Sequence, residues 1–353
     1  MVHLIVVKRI KPIPFSGLLI PLISLITGLL LSGIILYLSS GISFIDLMAT
    51  ILTAFRSPTV VKDTLILTLV GISLVLAFTG AVWNIGSEGQ IHMGMMVSAW
   101  IALFSALADI PILAKIVGIL LAAVLGAFWA FIAGVLRAYA KVDEVPVTLM
   151  LNYIAYYILD MLVYGPWRGK RTWGYIRTDE IPKILRFQRI LNTTATWEAL
   201  ILVIITGILV WLLLRYTTIG LRIRVLGSNP DILRSAGISV PLTIVIALTL
   251  SGLISGIVGS VYFFGDTYRL SYPLEEHTAN YGYLGILVAW LSMLDIRAVP
   301  VAAYIVSSLR ISGTLMQIGG LGGVETMFVF IGSVLLTYSI VRIFSEYSVK
   351  IRF

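Results

Sequence analysis

Residues 15–38 read FSGLLIPLISLITGLLLSGIILYL, a run without a charged side chain. A helix needs about 20 predominantly apolar residues to cross a bilayer. This run is therefore long enough to span, and too long for the apolar region of a cleaved signal, which is about 7–15 residues. It reads as a retained first span, preceded by Lys8, Arg9 and Lys11. Further apolar runs follow at 61–80, 93–109, 112–135, 145–164, 198–216, 241–264, 281–296, 298–311 and 326–342. The fold class expected is all-α: a polytopic transmembrane helical bundle of about ten spans.

Composition agrees. Of 353 residues, 59% are hydrophobic and only 12% charged, against about 25% charged in a soluble domain. Mean hydropathy is +1.02. A soluble globular protein is excluded, and continuous apolar runs exclude a porin-like barrel, whose strands alternate apolar with polar residues. The chain is read as one membrane domain, 1–353, lying in the lipid bilayer of the cell membrane. Net charge is +8; in this composition basic residues mark cytoplasmic loops rather than a nucleic-acid partner. The absence of cysteine removes disulfides, thiolate metal sites and a Cys nucleophile.

Two long polar stretches interrupt the apolar pattern, 165–197 and 217–240. With both ends inside, thirteen of the 25 Lys and Arg fall inside. Seven of the other twelve, Arg168, Lys170, Arg171, Arg177, Lys183, Arg186 and Arg189, share the 165–197 loop. Without that loop the positive-inside rule favours cytoplasmic termini. Short Gly-flanked breaks at Gly94 to Trp100 and Gly285 to Trp290 match the interrupted helices that line transport sites between repeats.

Three segments carry chemistry. The first, Trp83-Asn84-Ile85-Gly86-Ser87-Glu88-Gly89-Gln90, places a carboxylate, two amides and two glycines between apolar runs. Such groups are costly in lipid unless they face a cavity or a partner. The reading favoured over a short solvated loop is a broken or re-entrant helix lining a path, with Trp83 placed to stack on a planar ring. The second, Glu144 to Tyr153, opens a span with Pro146 in its first turn and puts Thr148 and Asn152 on one face beside Tyr153. That face suits either a ring-bearing solute or hydrogen bonding between helices. The third, Gly220 to Ile238, holds a short-helix recipe: Asn229 as N-cap, Pro230 first, Asp231 at the positive end, Arg234 in the last turn and Gly237 to stop it. Too short for a lipid contact, such a helix suits a groove on another protein.

At these places the chain resembles permease subunits of ABC importers for nucleosides and simple sugars, within the wider group of branched-chain amino acid and ribose-type permeases. Asn84 to Gln90 is similar to Asn-Ile-Gly-x-Glu-Gly-Gln, and Glu144 to Ile154 to Glu-Val-x-x-Thr-x-Met-Leu-Asn-Tyr-Ile, with Pro146 where an aliphatic residue is usual. Gly220 to Ile238 resembles Gly-Leu-Arg-x-Arg-x-x-Gly-x-Asn-Pro-x-x-x-Arg-x-Ala-Gly-Ile, and the likeness resumes at Tyr281 to Ile286 and loosely at Leu309 to Gly313. The resemblance implies a heterodimer with a second permease subunit, two cytoplasmic ABC ATPase subunits and an extracytoplasmic substrate-binding lipoprotein. It makes 217–240 a cytoplasmic coupling loop whose short coupling helix docks the ATPase through Arg222, Arg224, Asn229, Pro230, Asp231, Arg234 and Gly237. The 165–197 loop then faces outward, where its cations suit an acidic partner surface. Trp83, Asn84, Glu88, Gln90, Thr148, Asn152 and Tyr153 are the expected substrate-path residues, and Glu88→Ala is expected to cut transport while leaving assembly intact.

No Gly-x-x-x-x-Gly-Lys-Ser/Thr loop is present, so no cofactor is expected on this chain, and ATP with Mg belongs to the ATPase. The alternative is a secondary transporter coupled to ions through Glu88, Asp160 or Asp295. An intramembrane enzyme fits poorly. Only His3, His92 and His277 exist, with no His-Glu-x-x-His pair and no Gly-x-Ser-x-Gly elbow, and Asp266 with Asp295 lacks a dyad pattern. Arg310 and Glu325, near predicted span ends, are read as snorkelling.

Overall fold

The computed structural model describes residues 3–8, 16–170, 174–191, 193–322 and 325–352. The helices are α1 (Ser16–Ser40), α2 (Phe44–Phe55), α3 (Thr59–Thr79), α4 (Ser87–Phe104), α5 (Pro111–Tyr139), α6 (Glu144–Tyr164) and α7 (Trp197–Tyr216). After them come α8 (Thr218–Ser228), α9 (Pro230–Ser235), α10 (Val240–Tyr262), α11 (Leu274–His277), α12 (Tyr281–Leu291), α13 (Val299–Ile318) and α14 (Glu325–Glu346). Seven of the ten expected spans coincide with helices long and apolar enough to cross a bilayer: α1, α3, α5, α6, α7, α10 and α13. The expected spans at 93–109 and 281–296 fall on α4 and α12, which do not meet that standard, and the one at 326–342 falls on α14, whose described apolar stretch is Phe328–Phe344.

The bundle is all-α, as its composition requires. Beside it, β1 (His3–Lys8) pairs antiparallel with β2 (Tyr347–Arg352), from His3 opposite Arg352 to Lys8 opposite Tyr347. Helix α2 has no counterpart among the expected spans. Its 12 residues reach about 18 Å, and its one buried stripe is Leu47, Ile51 and Ala54. Ser43 caps it, accepting the Asp46 N–H at 3.1 Å.

Helices α3 and α10 form the centre, apolar around most of their circumference and mostly buried. Main chains meet where α10 crosses α5: a Cβ at Gly256 would strike the Ala122 carbonyl and Gly126, and one at Gly252 the Ala130 side chain. Small residues at that spacing let two spanning helices pack on dispersion and backbone contact alone.

The direction of each helix follows from side-chain partners. At its start α3 meets the π-helical turn that ends α10 (263–267), through Lys62 and Asp266 at 2.6 Å. At its end, Thr79 lies under Gly227 of α8. The molecule therefore has an α8 end and, opposite, a loop end covered by 165–197. The described part of that loop is folded. Thr178, Ile181 and Phe187 donate main-chain N–H bonds to Leu270, Tyr268 and Phe264 carbonyls at 2.9, 3.0 and 2.9 Å, and Ile181, Leu185 and Phe187 are buried beneath it.

Candidate functional site

Two half-helices meet inside the bundle. After α3 the chain turns at 80–82 and runs back as an extended segment, so α4 begins halfway along α10, where Ser87 and Ser255 hydroxyls are 2.8 Å apart. It ends at the loop end, where Phe104 stacks on Trp167. Helix α12 points the other way. Tyr281, its first residue, donates to Asp63 near the start of α3 at 2.6 Å, and Trp290 near its end packs on Phe78 in the last turn of α3. The N-termini of α4 and α12 thus face each other.

Glu88 sits between them, 1% exposed. One carboxylate oxygen accepts the Gly282 N–H of α12 and the other the Thr278 hydroxyl, both at 2.5 Å. Helix N-termini carry partial positive charge and unpaired N–H groups, so a carboxylate belongs there. The N-cap of α4, Gly86, offers no side chain. Asn152 of α6 supplies the acceptor instead: its Oδ1 takes the Gly89 N–H at 2.8 Å, and its Nδ2 donates to the Ile85 carbonyl and the Tyr283 hydroxyl, each at 3.0 Å.

Asn84 and Gln90 pair with each other through two amide hydrogen bonds of 3.0 and 2.8 Å. Asn84 also donates to Ser251 at 2.8 Å, and Ser251 leads through Ser73 and Ser255 to Ser87. All six side chains are buried, so the network holds the extended segment against α3 and α10. Thr148 is buried too, its hydroxyl returned to the Glu144 carbonyl at 2.7 Å. Of the seven expected path residues only two are open: Trp83, 38% exposed, and Tyr153, 43% exposed. Four of the other five, Asn84, Glu88, Gln90 and Asn152, bond to groups on another element, whereas the Thr148 hydroxyl bonds only within α6. The expectation that Glu88→Ala would leave assembly intact conflicts with a carboxylate that closes two helix ends.

One further expectation is corrected. Arg310 does not snorkel: its guanidinium donates to buried Asp63 at 2.5 Å and lies over the Tyr281 ring. Asp266 holds Lys62 and takes no part in a dyad with Asp295, which is paired with Arg297 at 2.7 Å. The Arg297 hydrogen bond holds the Asp295 carboxyl below the usual carboxylate range. Asp160 accepts the Leu274 N–H at 2.8 Å. The side chain of Glu325 lies outside the described residues, as do those of Glu276 and His277. In the 165–197 loop Arg168, Lys170, Lys183 and Arg189 are exposed, whereas Arg186 pairs with Glu180 at 2.9 Å and stacks on Tyr268; Arg171 is outside the described residues.

At the α8 end the short helix forms where the third segment puts it. Asn229 caps α9 by accepting the Asp231 N–H at 2.9 Å, Pro230 opens it, and Arg234 pairs with Asp231. Gly237 closes it at φ +71°, a left-handed backbone that a Cβ disfavours. Arg224, Asn229, Asp231 and Arg234 are exposed and Arg222 half-buried. Helix α8 lies directly on the turn before the half-helix. Ile223 and Leu226 are buried against Gly80, and at Gly227 there is room only for hydrogen before the Thr79 carbonyl.

Sequence reasoning missed Ser73, Ser251, Ser255, Asp63 and Tyr281. The available signal was hydroxyls recurring four apart in an apolar run, at 251 and 255. For Asp63 it was a carboxylate inside the first turns of a spanning helix.

With this geometry in hand, comparison places the chain. Residues 59–338 match the family described as branched-chain amino acid transport system / permease component, and the chain belongs to it. It is similar to the nucleoside ABC transporter permease protein NupB of Lactococcus lactis, 32% identical over 77% of each chain. It is also similar to the guanosine ABC transporter permease protein NupP of Bacillus subtilis, 26% identical over 86% of this chain and 87% of that one. Likeness to the glucose ABC transporter permease protein TsgB13 of Haloferax volcanii is 24%, over 79% and 73%. No solved structure matches. The chain is a multi-pass membrane permease of the ABC class.

Proposed function

We propose that this chain forms one half of the translocation path of an ATP-driven importer for nucleosides or related simple sugars. The observation that carries the reading is a continuous physical connection. An exposed, doubly capped helix (α9) follows α8, α8 rests on the turn at 80–82, and that turn leads into Trp83 and the half-helix α4. In this reading α9 docks a cytoplasmic ATPase that holds ATP and Mg, and 165–197 receives a binding lipoprotein outside. Both termini lie inside, and a second permease completes the path as a heterodimer.

The path face is the outer side of α12. Tyr283, Ile286 and Trp290 recur there at helical spacing and remain partly open. Trp83 flanks them, 5.4 Å from Trp290 between ring centroids, and Tyr153 lies on neighbouring α6. Aromatic faces with few charges suit a nucleobase or the apolar face of a sugar ring. ATP binding and hydrolysis change the spacing of the ATPases, α9 and α8 follow, and the turn at 80–82 moves with them. Because Glu88 ties α4 to α12, both half-helices shift together.

Reconstitution of the whole complex in proteoliposomes tests this. Uptake of labelled guanosine is expected to require ATP and to fall about tenfold or more in Trp83→Ala, a loss in the range of one stacking contact, with ATPase retention unchanged. Uptake driven by an ion gradient without the ATPase overturns the proposal.

A further inference from the structure

Away from the path face, at the α8 end, a basin of about 460 Å³ opens among α7, α8 and the link between α12 and α13. Three arginines line it, Arg215, Arg224 and Arg297, against one carboxylate, Asp295. Asp295 is engaged by two hydrogen bonds from the Arg297 side chain, at 3.1 and 2.7 Å. The Arg215 guanidinium lies 5.7 Å from the Trp211 ring centroid. The basin therefore carries an excess of two positive charges.

It is not isolated. Trp211, Ile296 and Arg297 also line an apolar trough of about 330 Å³ that continues along the spanning part of the bundle. Ile72 of α3, Val203 and Gly207 of α7 and Pro300 of α13 form its walls. Gly207 leaves the floor bare, since a Cβ there would touch only Ile72 Cδ1, at 3.6 Å. An acidic loop of a soluble partner would satisfy the arginines and leave the trough empty. An acyl chain would fill the trough and leave the arginines without an anion. Only an amphiphile with both parts matches the whole surface.

We infer that basin and trough together bind one anionic phospholipid, its phosphate held by Arg215, Arg224 and Arg297 and one acyl chain laid over Gly207 and Ile72. Guanidinium groups take phosphate oxygens in paired hydrogen bonds, and basic residues beside spanning helices attract anionic headgroups. The site borders α8, so a bound lipid braces the helix on which the turn at 80–82 rests. The inference stands on lipid contact alone and does not depend on the transport reading.

Native mass spectrometry of the full chain in mild detergent, titrated with dioleoylphosphatidylglycerol or dioleoylphosphatidylcholine, tests it. One phosphatidylglycerol per chain is expected to be retained in preference to phosphatidylcholine. Arg215→Gln with Arg297→Gln should lower phosphatidylglycerol affinity by about fivefold per charge removed and leave phosphatidylcholine unchanged. Gly207→Phe, which fills the trough and keeps every arginine, should weaken both lipids while the chain still elutes as one species. Equal retention of the two lipids overturns the inference, as does unchanged binding in Gly207→Phe. Competition by glycerol 3-phosphate as strong as by whole lipid would assign the basin to a soluble phosphate. Variants that keep the lipid but lose the ATPase or the second permease would assign the surface to a protein partner; both results also overturn it.

Discussion

Two carboxylates, Glu88 and Asp63, are buried inside the bundle at 1% and 0% exposure, and they are held in opposite ways. Asp63 is matched by a full cation, Arg310, and by the Tyr281 hydroxyl. Glu88 is matched by the Gly282 N–H, the Thr278 hydroxyl and the positive ends of two half-helices; among the described residues no Lys or Arg pairs with it. One joint is ionic, the other built largely from the main chain. The difference lies in what remains when the acid is lost: a buried cation in one case, neutral donors in the other.

The largest effect is therefore expected at Asp63. Asp63→Ala strands Arg310 and should cost about 3–5 kcal/mol, visible as loss of the monodisperse peak on size exclusion. Adding Arg310→Met should restore much of it, and no restoration would mean that the pair is not an ionic joint. Glu88→Ala should cost less, about 1–3 kcal/mol, because the Gly282 N–H is the buried donor left unmet while the half-buried Thr278 hydroxyl can turn away. Glu88→Gln keeps one carbonyl acceptor and should fall between the mutant and the native thermal midpoint. A midpoint for Glu88→Ala as low as that for Asp63→Ala would erase the distinction. A third variant, Gly227→Val, forces α8 off the Thr79 carbonyl without touching either acid. Its readout is coupling: ATP hydrolysis by the complex should persist while uptake falls, and uptake at the native rate would show that this contact transmits nothing.

The same contrast explains what the sequence disclosed. Helix α9 was legible because its caps are local: Asn229 and Gly237 act on backbone within a few residues of themselves. The long spans were legible from unbroken apolar runs. Helix α2 was not, because its buried stripe is narrow and Asp46, Thr50 and Thr53 interrupt the run. The polar residues at 84–90 were found, and their partners were not. Asn84 and Gln90 depend on Ser251 and Ser73, and Arg310 pairs across 247 positions. Composition says that such groups must be satisfied in lipid; only the fold says by whom.

The loop at 165–197 is fastened to the end of α10 chiefly by main-chain bonds, from Thr178, Ile181 and Phe187 to the backbone of 264–270. A surface whose shape is stored in the backbone leaves its outward side chains free to drift. Arg168, Lys170, Lys183 and Arg189 can change sign or size over evolutionary time without refolding the loop that displays them. The face they present can then vary while the architecture beneath stays constant.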